Sequence, residues 1–181
     1  MPRHKYQDTF WDDFSIPASL QRQGSSTKPD YDYTNIGLLF PQNNATEISY
    51  SSIQWAHRKK LGTDIYPHIH WVQTSASLPV FTLAYRWYNN SGDPTIGFTT
   101  ISTDDVGGDQ EKFTYPGSGS ILQISSFPVI SAIAGELVSS QMDIKLYRDD
   151  DVINGDVLLK FFDIHYEIDY PGSQEEFTKV S

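Results

Sequence analysis

The chain contains no cysteine among its 181 residues, which removes disulfides and thiolate metal ligation at once. That absence leaves the redox compartment open, because a cysteine-free chain folds equally well in reducing or oxidising surroundings. No run of about 18 apolar residues occurs, so no membrane-spanning helix is expected. The opening MPRHKYQDTFWDDF lacks the apolar centre of a secretory signal. Basic residues are scarce: 13 Lys and Arg stand against 23 Asp and Glu, for a formal charge of -10. A surface of that sign repels phosphate backbones and disfavours direct nucleic-acid binding. Helix-favouring Ala-Leu-Glu-Lys periodicity is thin, and two enzyme signatures are missing altogether. There is no Gly-x-Ser-x-Gly elbow for a nucleophile and no glycine-rich phosphate loop.

What is present is aromatic and alternating. Tyr, Trp and Phe make up 14% of the chain, a balance that favours strands. Val80–Tyr88 (VFTLAYRWY) alternates cleanly, with Phe81, Leu83, Tyr85 and Trp87 on one face. Met142–Arg148 places Met142, Ile144 and Leu146 together, and Asp156–Asp169 reads as a long strand. Strict alternation in that last strand puts Leu158, Phe162, Ile164, Tyr166 and Ile168 on one face and Val157, Leu159, Phe161, Asp163, His165 and Glu167 on the other. Further strands are expected at Ile36–Phe40, Glu47–His57, Thr95–Ile101 and Ser120–Ser125. In Glu47–His57 the apolar residues change parity, Ile48 and Tyr50 against Ile53 and Trp55, which predicts a bulge or bend near Ser51-Ser52. Phe127–Leu137 has room for one short helix. About eight short strands without a βαβ rhythm predict an all-β fold, a jelly-roll-like β-sandwich, over residues 31–181.

Residues 1–30 are expected as an extended N-terminal arm and linker. Gln21–Asp30 (QRQGSSTKPD) has linker composition. A free tail carrying Phe10, Trp11 and Phe14 would be an aggregation hazard, so these three are expected to anchor on a neighbouring chain.

The central strand is Asp64–Gln73 (DIYPHIHWVQ). Its Ile65, Pro67, Ile69 and Trp71 form a core face, while Tyr66, His68, His70 and Val72 face the other way. An aromatic, imidazole-bearing face is unusual for one simply bathed in water. Two imidazoles at His68-x-His70 lie about 7 Å apart along a strand, a spacing compatible with one metal ion. A cupin would use such a pair, yet Trp71-Val72-Gln73 follows where its carboxylate is due. Asp163, His165 and Glu167 would complete a site if the last strand lay beside this one. Structural, hydrogen-bonded histidines (His165 included) are the expectation, with no catalytic metal and no cofactor. Asp104-Asp105 and Gly107-Gly108-Asp109 lack EF-hand spacing and read as a solvated loop. Asp163 and Glu167 could be read as a glycosidase carboxylate pair, but surface acids opposing a basic neighbour explain them as well. Aromatics such as Tyr66, Trp55 or Trp87 could stack on a sugar ring if exposed, but half-buried sandwich positions account for them without a ligand.

Two segments resemble a known family. Gln54–Trp71 (QWAHRKKLGTDIYPHIHW) and Leu146–Lys179, with LYRDDD, FDIHYEIDYPGS and Lys179, resemble small proteins encoded by tailed bacteriophages and prophages among their virion structural genes. The resemblance implies a phage-particle component, not an enzyme, built as an oligomeric β-sandwich and located in the virion. It transfers no catalytic residue. A head decoration or cement protein, homotrimeric and held by other phage structural proteins, is the leading expectation. The interface candidates are Phe10, Trp11, Phe14, Tyr66, His68, His70 and His165. Alternatives are a tail or head fibre or neck component, a host-glycan-binding module, and a cupin-type metalloenzyme.

Overall fold

A computed structural model describes residues 10–24, 27–42, 46–73, 78–105, 122–149 and 155–169. Eleven strands follow one another in these stretches: β1 (Phe10–Pro17), β2 (Arg22–Gln23), β3 (Asp30–Asp32), β4 (Gly37–Phe40), β5 (Ile48–Gln54), β6 (Ile65–Val72), β7 (Phe81–Tyr88), β8 (Thr99–Ser102), β9 (Gln123–Ser126), β10 (Gln141–Arg148) and β11 (Val157–Ile168). Two single 3-10 turns, Ala18–Leu20 and Thr103–Asp105, are the only helical elements among the described residues. Phe127–Leu137 forms no helix. It is held in extended and turn backbone by the Ile65–Ile130 bridge and the Phe127 N–H bond to the Pro67 carbonyl.

The strands form two antiparallel sheets, so the all-β sandwich expected from alternation is the fold found. One sheet runs β3-β4-β11-β6-β9, with β1 also paired to β11; the other runs β2-β5-β10-β7-β8. The core lies between them because each sheet turns one parity of side chains inward. Ile65, Ile69, Trp71, Phe162, Ile164 and Tyr166 of the first sheet meet Ile53, Phe81, Leu83, Trp87, Met142, Ile144 and Leu146 of the second. Aromatic contacts cross the gap: Phe40 on Phe81 at 5.5 Å and Trp55 on Tyr166 at 5.3 Å between ring centroids.

Three expectations are corrected. The first concerns residues 10–24, expected as part of an arm. β1 pairs with β11 over Phe10↔Ile168 to Pro17↔Phe161, and β2 pairs with β5, while Ile16 and Ala18 are buried in the core. An eight-residue ladder satisfies backbone groups that a free arm would leave to water, so the segment from Phe10 is a strand of the sandwich. Residues 1–9 lie outside the described stretches. The second concerns β5, which has no bulge. Its register with β10 is unbroken; Ile48 and Tyr50 point out, and Ser49 occupies the inward position. Ser49 is tolerated there because its hydroxyl bonds Gln21 Oε1 at 2.7 Å. The third concerns β11, where the irregularity does occur. Register shifts between Leu159 and Phe161, so Val157 and Leu159 join Phe162, Ile164 and Tyr166 in the core and Leu158 does not.

Candidate functional site: the outer face of the six-stranded sheet

Antiparallel pairing puts directly opposed residues on the same face, so register alone assembles the site. Asp163 stands opposite His68 and Ser15, and His68 stands opposite Ser126, which makes one row across β1, β11, β6 and β9. The next row is Asp13, His165 and Tyr66. On the other side lies Pro17, Phe161, His70 and Ile124. The bulge at Lys160 matters here, because it leaves Phe161, Asp163 and His165 facing outward while Phe162 and Ile164 stay inside.

Asp163 is the hub. Its Oδ1 accepts from Ser15 Oγ at 2.6 Å, and its Oδ2 lies 3.0 Å from His70 Nε2 and 3.8 Å from His68 Nε2. Burial by itself would raise its carboxyl pKa. The hydrogen bonds from His70 and Ser15, with the nearby imidazoles, outweigh that and hold it below the ordinary carboxylate value. His68 is buried, and desolvation pushes its imidazole below the usual 6.5, reinforced by His165 and His70 and opposed by Asp163. The rings of His68 and His165 lie 4.5 Å apart, and His165 Nε2 reaches Asp13 Oδ1 at 2.8 Å. Asp13, His68, His70, Asp163 and His165, with Tyr66, Pro67, Ile124, Ser126 and Phe127, line an open groove of about 430 Å³.

An aromatic rim stands beside that polar floor. Trp11 meets Tyr66 edge to face at 5.4 Å, and both are exposed. Phe161 packs against His70 from the opposite end and is also exposed. The structure therefore brings together five of the residues singled out in the sequence: Trp11, Tyr66, His68, His70 and His165. Phe14 is not among them. It has the other parity on β1 and packs on Trp55 at 6.2 Å against the core, because strand residues 11, 13 and 15 face out when 14 and 16 face in. Phe10 shares Phe14's parity and is exposed at the strand's start. Trp55 and Trp87, considered as sugar stackers, are buried. Asp13 and Ser15 had no signal in the sequence until residues 10–17 were known to be a strand.

The face offers donors, acceptors and flat apolar rings within one groove. It does not pair Asp163 with Glu167. Four residues along a strand span roughly 13 Å, wider than the roughly 5–9.5 Å separating glycosidase carboxylates. Glu167 instead bonds Lys60 Nζ at 2.6 Å. The Asp104-Asp105 loop is described only to Asp105, which caps its own turn by accepting from the Ser102 N–H.

No protein-family model matches the sequence, and no curated protein resembles it closely enough to count as a relative. Solved structures do share the architecture. A carbohydrate-binding module of family 36, solved in complex with calcium and xylotriose, superposes with a TM-score of 0.50 at 12% identity, over 83% of this chain and 98% of that one. A family 36 module of a multidomain xylanase from the hindgut metagenome of Trinervitermes trinervoides gives 0.44 at 10% identity, over 84% and 96%. The enzymatically active domain of tailspike protein 4 of bacteriophage CBA120 gives 0.38 at 8% identity, over 87% of this chain and 19% of that one. At such identities the likeness concerns the fold alone: this chain is a β-sandwich built like a carbohydrate-binding module.

Proposed function

We propose that this chain is a non-enzymatic, carbohydrate-binding β-sandwich module of a tailed-phage particle, with host-surface glycans as ligands. The observation that carries the reading is the juxtaposition on one sheet face of exposed Trp11 and Tyr66 with the His68, His70, Asp163, His165 and Asp13 cluster. Sugars need both halves of such a site. Their C–H faces stack on aromatic rings, and their vicinal hydroxyls need acceptors and donors held at fixed positions. Here Tyr66 and Trp11 supply the ring surface, while Ser15 and His70 hold the Asp163 carboxylate in place. The family resemblance of GTDIYPHIHW and FDIHYEIDYPGS supports a place in the virion. The test is a glycan array with the full chain, followed by titration of each hit. Binding by the wild type that weakens at least tenfold in Tyr66→Ala and in Trp11→Ala is expected. Absence of any glycan hit, or variants that both bind as tightly as the wild type, overturns the reading.

A second reading, the trimeric head decoration protein, has one observation of its own. Among the described residues β1 is a sheet edge, paired only to β11, and carries exposed Phe10 and Trp11 at its start. An open edge beside exposed aromatics suits protein-protein contact. In that reading the groove is closed by a neighbour in the particle, and glycans do not reach it.

A further inference from the structure

We propose that His68, His70 and Asp163 form a binding site for a divalent transition-metal ion, zinc in the first instance, at the floor of this groove. The two imidazoles come from β6 at alternate positions, and the carboxylate comes from the directly paired position of β11. One ligand atom from each of the three lies within 4.8 Å of the others. Donors around a tetrahedral zinc ion, bound at roughly 2.0–2.2 Å, stand roughly 3.3 Å apart. Asp163 Oδ2 is already 3.0 Å from His70 Nε2 and 3.8 Å from His68 Nε2, so small side-chain rotations suffice.

The surroundings also suit an ion. Ser15 Oγ donates to Asp163 Oδ1 at 2.6 Å, while Oδ2 is the oxygen that faces the two histidines. A contact of this kind orients a metal-binding carboxylate from behind and leaves its coordinating oxygen free. Two imidazole nitrogens and one carboxylate oxygen favour zinc or its neighbours over calcium or magnesium, which take oxygen donors. All three residues line the open groove, so water can complete the coordination of an ion held there. His165 is engaged with Asp13 at 2.8 Å and is not one of the three ligands.

The ion site does not depend on a glycan being the ligand of the groove, and its test uses none. The full chain, free of affinity-tag histidines and stripped with chelator, would be titrated with zinc chloride by calorimetry and with cobalt chloride by visible absorption. One ion per chain and a tetrahedral cobalt spectrum are expected. His70→Ala and Asp163→Asn should each weaken zinc binding at least tenfold, whereas His57→Ala, which removes a histidine bonded to Ser139 outside the groove, should not. Circular dichroism checks that each variant is folded, and zinc should raise the melting temperature of the wild type but not of His70→Ala. A wild type that binds no zinc, or a folded His70→Ala variant that binds it as tightly, overturns the proposal. Zinc binding without any glycan hit would sink the carbohydrate reading alone; glycan binding without zinc would sink this one alone.

Discussion

At the scale of single residues, the buried or half-buried charges Lys59 and Asp143 are each met by several partners. Lys59, in the basic turn Arg58-Lys59-Lys60 before β6, is 1% exposed and ion-paired with Glu136 at 2.9 Å. Its ammonium also lies 4.9 Å from the Trp87 ring, and the Gly62 N–H donates to the same Glu136 at 2.8 Å. On the outer face of the five-stranded sheet, Asp143 accepts from Ser52, Arg86 and Tyr88. Burial would raise its carboxyl pKa; those bonds and the Arg86 charge outweigh it and hold it below the ordinary 3.8. A folded value below the unfolded one means that the stabilisation is present above 3.8 and is lost as pH falls through the folded value. Asp143→Asn should therefore cost about 1–2 kcal/mol at neutral pH. The gap between variant and wild type should close on strong acidification. Urea unfolding across a pH series measures it, and a gap that stays constant down to the acid limit counts against the assignment.

At the scale of elements, β1 decides how the N-terminal segment behaves. Ile16 sits in the core and Trp11 on the outer face, five residues apart on one strand. Large-to-small substitution of a buried isoleucine typically costs about 2–4 kcal/mol. In a domain of this size that lowers the melting temperature by roughly 5–15 °C. Ile16→Ala should show such a drop, and Trp11→Ala should melt within a few degrees of the wild type. A detachable arm predicts no change in either, so an unchanged melt for Ile16→Ala would show that β1 is dispensable to the sandwich.

At the scale of the whole molecule, the two readings of the outer face differ in what covers it. If the face binds glycans, the chain keeps it open; if copies or capsid subunits cover it, exposed Trp11 and Tyr66 are the anchors. Multi-angle light scattering over a concentration series separates these. The carbohydrate reading expects Tyr66→Ala to leave the measured mass unchanged. A trimer that falls apart in Tyr66→Ala places the groove in a subunit interface and favours the decoration protein.

The amino-acid order by itself determined the fold class and most strands, because period-two alternation in β7 and β10 leaves one solution for which side faces the core. It also showed β6 to have an aromatic-imidazole face, since Tyr66, His68 and His70 share a parity and β6 pairs without an extra residue between them. Three things were decided only by tertiary structure. Strand status for residues 10–17 depended on an edge of β11 being free to pair, a long-range condition that the local order FWDDFSIP does not display. The parity of β11 was reset by one extra residue at Lys160, and local alternation cannot place such a bulge. The identity of the site's hub followed from register: Asp163 meets His68 because β11 lies beside β6 at that offset, 95 residues along the chain. Sequence periodicity reports which face a side chain takes, whereas only strand pairing reports what stands next to it.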